Sequence, residues 1–212
     1  VITSATLREE SIKPENQWEI AEKRTGTIHL KTPAIQVTVD SPFDYSKQTQ
    51  VIIVNDVKRN DLDQVAAAYR DLFIAANGGS LGLFTAIRRL RAVHGKIFHP
   101  LDKLDLKVYS QHSDGLNLST LIDIFRMEEN SCLLGTDAAR DGVDIPGRSL
   151  RLIVFDRVPW PRPAILNKAR QELFGRKTYT DMLTKIKLTQ AFGRLIRSKT
   201  DKGIFILLDP GM

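Results

Sequence analysis

The stretch "DLDQVAAAYRDLFIAANGGSLGLFTAIRRLRAV" (61–93) decides the architecture. Leu62, Val65, Ala66, Tyr69, Leu72 and Phe73 recur at spacings of three and four, which makes one apolar stripe and predicts a helix over 61–79. Asp61 with Gln64 has the form of a capping box, and Gly78 supplies a left-handed stop. "SLGLFT" (80–85) is too short and too continuously apolar for a helix and reads as a strand, and "AIRRLRAV" (86–93) resumes the helical pattern.

The same alternation extends in both directions. Upstream, "TQVIIV" (49–54) is a β-branched run bounded by polar residues and is expected to be a buried strand. Downstream come a strand in "LDLKVYS", ending at Ser110, a helix in "LSTLIDIFRMEE" (118–129) and a strand in "SCLLGT" (131–136). A glycine-punctuated loop then leads to the strand "LRLIVFD" (150–156), two helical stretches lie between 164 and 197, and "GIFILLD" (203–209) closes the set. Such alternation predicts an α/β three-layer sandwich with a mostly parallel central sheet, in which ligands sit beyond the carboxyl ends of the strands. Residues 1–48 are less regular, with one helix expected in "PENQWEIAEKR" (14–24), and are set apart from an α/β domain at 49–212.

Composition narrows the function classes. No apolar run reaches the ~20 residues of a membrane span and no signal-peptide pattern opens the chain, so no membrane partner is expected. A single cysteine, Cys132, excludes an internal disulfide and reads as a buried strand residue. The four histidines, at 29, 94, 99 and 112, lack metal-ligand spacing, so no metal site is expected, and the chain reads as cytoplasmic. Net charge +6 leans mildly toward a polyanionic partner. With Val1 rather than methionine first, the chain is expected to be a piece of a longer protein.

Several polar loops follow strand ends. "GTDAARDGVDIPGRS" (135–149) offers glycines for close backbone approach to an anion, with Asp144 able to accept from a sugar hydroxyl or to hold an arginine; a surface turn is the alternative. In "GLFTAIRRLRAVHGK" (82–96), Thr85 brings a hydroxyl to a helix N-terminus, with Arg88 and Arg91 on one face beyond it. A plain cap with a solvated basic face explains the same residues. "SATL" (4–7) poses the same choice, and Trp160 in "VPWPRP" (158–163) either stacks on a base or packs on the domain. "QAFGRLIRS" (190–198) sets Arg194 and Arg197 three apart, expected on one helix face as a fork for phosphate oxygens. The phosphate loop that should accompany such a fork is missing. "HGKI" (94–97) and "FGRKT" (174–178) lack its earlier glycine and its Gly-Lys-Ser/Thr ending, and no Asp-Glu pair of the magnesium-holding type occurs.

The order of these motifs is more specific than any one of them. "TSATL" (3–7), "SPFDY" (41–45), "LGLFTAIRRL" (81–90), "GTDAARDGVDIPG" (135–147), "FDRVPWPRP" (155–163) and "QAFGRLIRS" succeed one another as in one family. The chain resembles the C-terminal motor half of superfamily-two DNA helicases of the DinG and XPD type, over essentially its whole length. The resemblance implies a RecA-like fold, with 1–48 the end of a first motor domain and a lead-in segment (family motif at 3–7) and 49–212 forming the second. ATP then lies between two such domains. The absent N-terminal domain holds the phosphates and Mg2+, and this one contributes arginines.

Carried over position by position, Arg194 and Arg197 match the arginines that contact the terminal phosphate, and Gln190, Gly142 and Asp144 match nucleotide-side positions. Thr85 and Thr136 match contacts to the backbone of a bound single strand of DNA, with Arg88 beside them, and Ser4 and Thr6 match a motif relaying nucleotide state between domains. The resemblance also implies 5′-to-3′ movement. The family's Trp-Glu before Gly-Val-Asp is Arg140-Asp141 here, which keeps the acid and loses the aromatic. Relatives often carry a four-cysteine iron–sulfur cluster in the first domain, on which Cys132 is silent. The rival readings are a non-enzymatic nucleic-acid-binding module from a degenerate motor, and an RNA-directed motor.

Overall fold

A computed structural model of the chain describes residues 1–8, 17–142, 144, 145 and 147–211, apart from the side chains of 141 and 142. It divides into two compact units, Val1–Pro42 and Phe43–Met212. Residues 43–48, grouped with the lead-in on sequence, pack in the larger unit.

In the smaller unit, helix α1 (Glu19–Thr25) ends at Gly26 in the left-handed region, φ 76°, and passes into one 3₁₀ turn at Thr27–His29. The expected helix thus starts at Glu19, and residues 14–16 lie outside the described residues. A cavity of about 820 Å³ in this unit is lined by Ile2, Trp18, Ala21, Ile35, Val37 and Val39, among others.

The larger unit opens with the short helix α2 (Tyr45–Gln48) and strand β1 (Thr49–Ile53), then helix α3 (Leu62–Ala75) and strand β2 (Ser80–Leu83). Helix α4 (Ile87–Asp102), strand β3 (Val108–Ser110), helix α5 (Leu118–Met127) and strand β4 (Cys132–Gly135) follow. Helix α6 (Asp137–Gly142), strand β5 (Leu152–Phe155), helices α7 (Ile165–Phe174) and α8 (Arg176–Phe192) and strand β6 (Gly203–Leu207) complete it. The six strands form one sheet in the order β1-β6-β5-β2-β4-β3, and every pairing is parallel.

Parallel strands cannot be joined by tight hairpins, so the crossovers cover both faces of the sheet. Alternate residues of each strand therefore enter different cores. Leu81, Leu133, Ile153 and Phe205 pack with Leu121 and Phe125 of α5 on one face. Leu134, Val154 and Ile206 pack with Val65, Tyr69 and Phe73 of α3 and Leu90, Val93 and Ile97 of α4 on the other. The three layers are those the alternation predicts. Tyr69 anchors the second core by donating from its hydroxyl to the Val154 carbonyl at 3.1 Å while stacking on Phe84 at 4.8 Å. Cys132 is fully buried, and burial pushes its thiol up to about 12.

Strand β1 departs from expectation. It is not buried: Val51 and Ile53 are 58% and 54% exposed, because β1 ends the sheet and, among the described residues, pairs only with β6. The start of α3 also differs in detail. Asp61 caps it, accepting from the amides of Asp63 and Gln64, but the Gln64 side chain reaches past Asp61 to accept from the Lys58 amide at 2.9 Å.

The turn between α3 and β2 requires glycine at 78, where φ is +80° and a Cβ would stand 2.2 Å from the Asn130 carbonyl oxygen. Gly78→Ala combines left-handed strain with a clash against backbone, and is expected to cost about 3 kcal/mol. Urea denaturation of the variant beside the parent chain measures this.

Candidate functional site

Because all strands run one way, the ends of β5, β2, β4 and β3 bring Asp156, Thr85, Thr136 and Gln111 to one edge of the sheet in that order. Leu83 and Gly135 are register partners, and the Phe84 amide donates to the Gly135 carbonyl at 2.9 Å, so the Thr85 and Thr136 loops are neighbours.

Each threonine is held by a residue from an adjacent strand end. The Thr136 amide and hydroxyl both donate to Gln111 Oε1, at 2.9 and 3.1 Å. The Thr85 amide donates to Asp156 Oδ1 at 3.2 Å, and Arg162 from the Pro-rich loop donates to the Thr85 carbonyl at 2.8 Å. Asp156 is fully buried and pairs through Oδ2 with Arg89 Nε at 2.6 Å. Burial pushes the Asp156 carboxyl up, against the pull of that guanidinium. Ala86, not Thr85, is the N-cap of α4, and no side chain caps it. Arg88 is exposed in the first turn, while Arg91 donates to the His112 carbonyl at 3.1 Å. Trp160 is 42% exposed beside this loop.

The second group gathers around the loop after β4. Gly142 ends α6, while Val143 and Pro146 of the "GVDIPG" motif lie outside the described residues. Asp144 Oδ1 forms an ion pair with Arg197 Nε at 3.2 Å, and its carbonyl accepts from Arg126 at 3.1 Å. Of the two offices the sequence allowed Asp144, holding an arginine is the one it fills here.

Arg194 and Arg197 do not share a helix face. Helix α8 ends at Phe192, and the chain turns so that Leu195 and Ile196 are buried, at 2% and 1% exposure. Core packing of this Leu-Ile pair draws the backbone inward and strips Arg197 of helical support. Its amide donates instead to Asp201 at 2.8 Å. Gln190 is exposed on the last turn of α8. Ser4 and Thr6 lie in the smaller unit, their hydroxyls 3.1 Å apart.

Sequence reading passed over Gln111, Asp156, Gln48 and Asp201. Asp156 and Gln111 had a signal, a polar residue just after an apolar strand in a parallel sheet. Among the described residues no three His, Cys, Asp or Glu side chains are grouped to hold a metal ion, and no helix is long and apolar enough to cross a membrane.

With that geometry in hand, comparison with known proteins is informative. The profile of a helicase C-terminal domain family matches residues 69–212. The ATP-dependent helicase DinG of Mycobacterium tuberculosis is 32% identical over 193 residues, covering 85% of this chain and 28% of that protein. The 3′-5′ exonuclease DinG of Bacillus subtilis is 30% identical over 223 residues, covering 99% of this chain and 23% of that protein. The chain thus spans about a quarter of the length of these relatives. Among solved structures, an XPD helicase superposes with a TM-score of 0.63 at 18% identity, covering 97% of this chain and 38% of that one. The fold is therefore that of a RecA-like helicase domain.

The two ion pairs differ in burial, and this gives opposite expectations. Asp156→Ala strands Arg89 unpaired in a nearly dry site and is expected to cost about 3–5 kcal/mol. Asp144→Asn breaks a half-exposed pair and is expected to change stability by less than about 1 kcal/mol. Thermal denaturation of both variants checks the contrast.

Proposed function

The chain belongs to the helicase C-terminal domain family, of the DinG and XPD type, and from that premise we propose that it is the second RecA-like motor domain of an ATP-dependent DNA helicase. In this reading residues 1–48 are the end of the first motor domain and a lead-in segment, of which 43–48 pack in the larger unit, and 49–212 form the second motor domain. The ATP site is shared. The N-terminal domain of the parent protein holds most of the phosphate chain and Mg2+, together with an iron–sulfur cluster if the parent has one.

The observation that carries the reading is the ion pair between Arg197, in the turn that precedes β6, and Asp144 of the "GVDIPG" loop. Asp144 Oδ1 stands 3.2 Å from Nε of Arg197 and pairs with its charge, which leaves the Nη nitrogens for a phosphate in this reading. A fixed cation of this kind suits charge building on a phosphoryl group in transfer, and its effect grows as a closing cleft expels water. Arg194 acts with it, and Gln190 and Gly142 border the nucleotide. Closure of one domain on the other moves the arginines and the strand-end loops together, which couples hydrolysis to displacement of DNA. Ser4 and Thr6 lie in the segment that relays this motion.

Thr85, Thr136 and Arg88 hold the phosphate backbone of single-stranded DNA. Their support comes from neighbouring strand ends: Gln111 fixes Thr136, Asp156 fixes the Thr85 backbone, and Arg88 is exposed on an uncapped helix N-terminus. Such contacts grip without reading sequence.

The test is ATP hydrolysis by the full-length protein with and without single-stranded DNA. DNA is expected to stimulate turnover, and Arg197→Ala to lower it by about 10³-fold while DNA binding persists. An unstimulated protein, or an Arg197→Ala variant with normal turnover, returns the domain to a binding module.

A further inference from the structure

If Arg197 acts as the reading above requires, something must hold it still. A guanidinium at the end of a long side chain stabilises developing charge only when its root is fixed, since a displacement of ~1 Å can cost about 100-fold in rate. Helix α8 does not provide that root, because it ends at Phe192.

We propose that Asp201, with Gln48 behind it, is a positioning residue for Arg197, locking the turn from which the arginine projects. One oxygen of Asp201, Oδ2, accepts from the amides of both Arg197 and Ser198 at 2.8 Å. The other, Oδ1, accepts from the Ser198 hydroxyl at 2.6 Å. Gln48 closes the turn from the opposite side: its Nε2 donates to the carbonyls of Ser198 and Asp201, at 3.0 and 2.9 Å. Asp201 is 8% exposed and Gln48 9%, so water competes weakly for these bonds. Burial alone would raise the Asp201 carboxyl, but the Ser198 hydroxyl and the amides of Arg197, Ser198 and Gly147 outweigh it and hold the group below its ordinary range. The lock is therefore carried by a carboxylate.

Two further features tie this turn to the rest of the site. The Arg197 amide is held by Asp201, and its side chain forms an ion pair with Asp144, Nε to Oδ1 at 3.2 Å. Gln48 follows the "SPFDY" segment, whose Tyr45 packs on Phe192 at the end of α8, 5.6 Å between ring centroids. That segment thus clamps the end of α8 with its aromatic ring and the arginine turn with Gln48. Neither Asp201 nor Gln48 needs to touch nucleotide to act, since each works through the backbone around Arg197.

The experiment is a double-mutant cycle in the full-length protein, measuring kcat and KM for ATP at saturating single-stranded DNA. Asp201→Ala is expected to lower kcat about 10- to 100-fold with KM little changed. In an Arg197→Ala background the same change should cost less than about 2-fold, because the residue it acts through is gone. Asp201→Asn keeps an oxygen that can accept from both amides and should recover most of the lost turnover. Equal losses from Asp201→Ala in both backgrounds would overturn the proposal, leaving Asp201 a general stabiliser. Normal turnover in Asp201→Ala, beside a loss in Arg197→Ala, overturns it while leaving the role of Arg197 intact. Normal turnover in Arg197→Ala refutes the functional reading and this inference together.

Discussion

Parallel pairing is the constraint from which the rest follows. Six strands hydrogen-bonded in one direction place all their carboxyl ends on one edge, and each return journey must cross a face of the sheet. The faces are thereby sealed by helices and the strands become apolar on both sides, as the fully buried β2, β4 and β5 are. Polar side chains at the strand ends then have only one another and the loops for partners. Gln111 takes Thr136, and Asp156 takes the Thr85 amide and Arg89. The same geometry that makes a core makes an edge of fixed, oriented polar groups.

Against that ordered edge, the arginine turn is built differently. The bonds that place Arg197 come from Asp201, Gln48 and Asp144, two carboxylates and an amide drawn from three separate segments. Energetically this is a modest assembly, with the Asp144 pair half-exposed and worth little to folding. Its value lies in orientation. A cation whose backbone is held has less freedom to lose when an anion arrives than one on a loose turn.

How much of this could be read from sequence depended on the range of the interactions. The α3 stripe and its Asp61 cap are local and appear as expected, whereas the helix ends early, at Ala75, with Asn77 entering the left-handed region at φ 52° ahead of Gly78. The burial of β1 is not local. "TQVIIV" looks like an inner strand, and only the strand order reveals it as an edge. For the same reason "QAFGRLIRS" looked like continuous helix, since the pull of the core on Leu195 and Ile196 has no signature in spacing. The Asp144–Arg197 contact was legible only as one of two offices for Asp144. Gln48 left no trace, because its partners are carbonyls 150 and 153 residues away, and Asp201 was hidden by the helix expected over its neighbours. The family resemblance supplied the proposed site residues, and the fold supplied the contacts that hold those residues.

The central claim is that this chain is one half of a shared ATP site, able to stabilise charge on a phosphoryl group but not to hold the nucleotide for reaction by itself. The most direct measurement is ATP turnover by the purified 212-residue chain beside the full-length protein, both saturated with single-stranded DNA. The account predicts turnover from the full-length protein and none above background from the chain alone. Turnover by the chain alone at the full-length rate would contradict it.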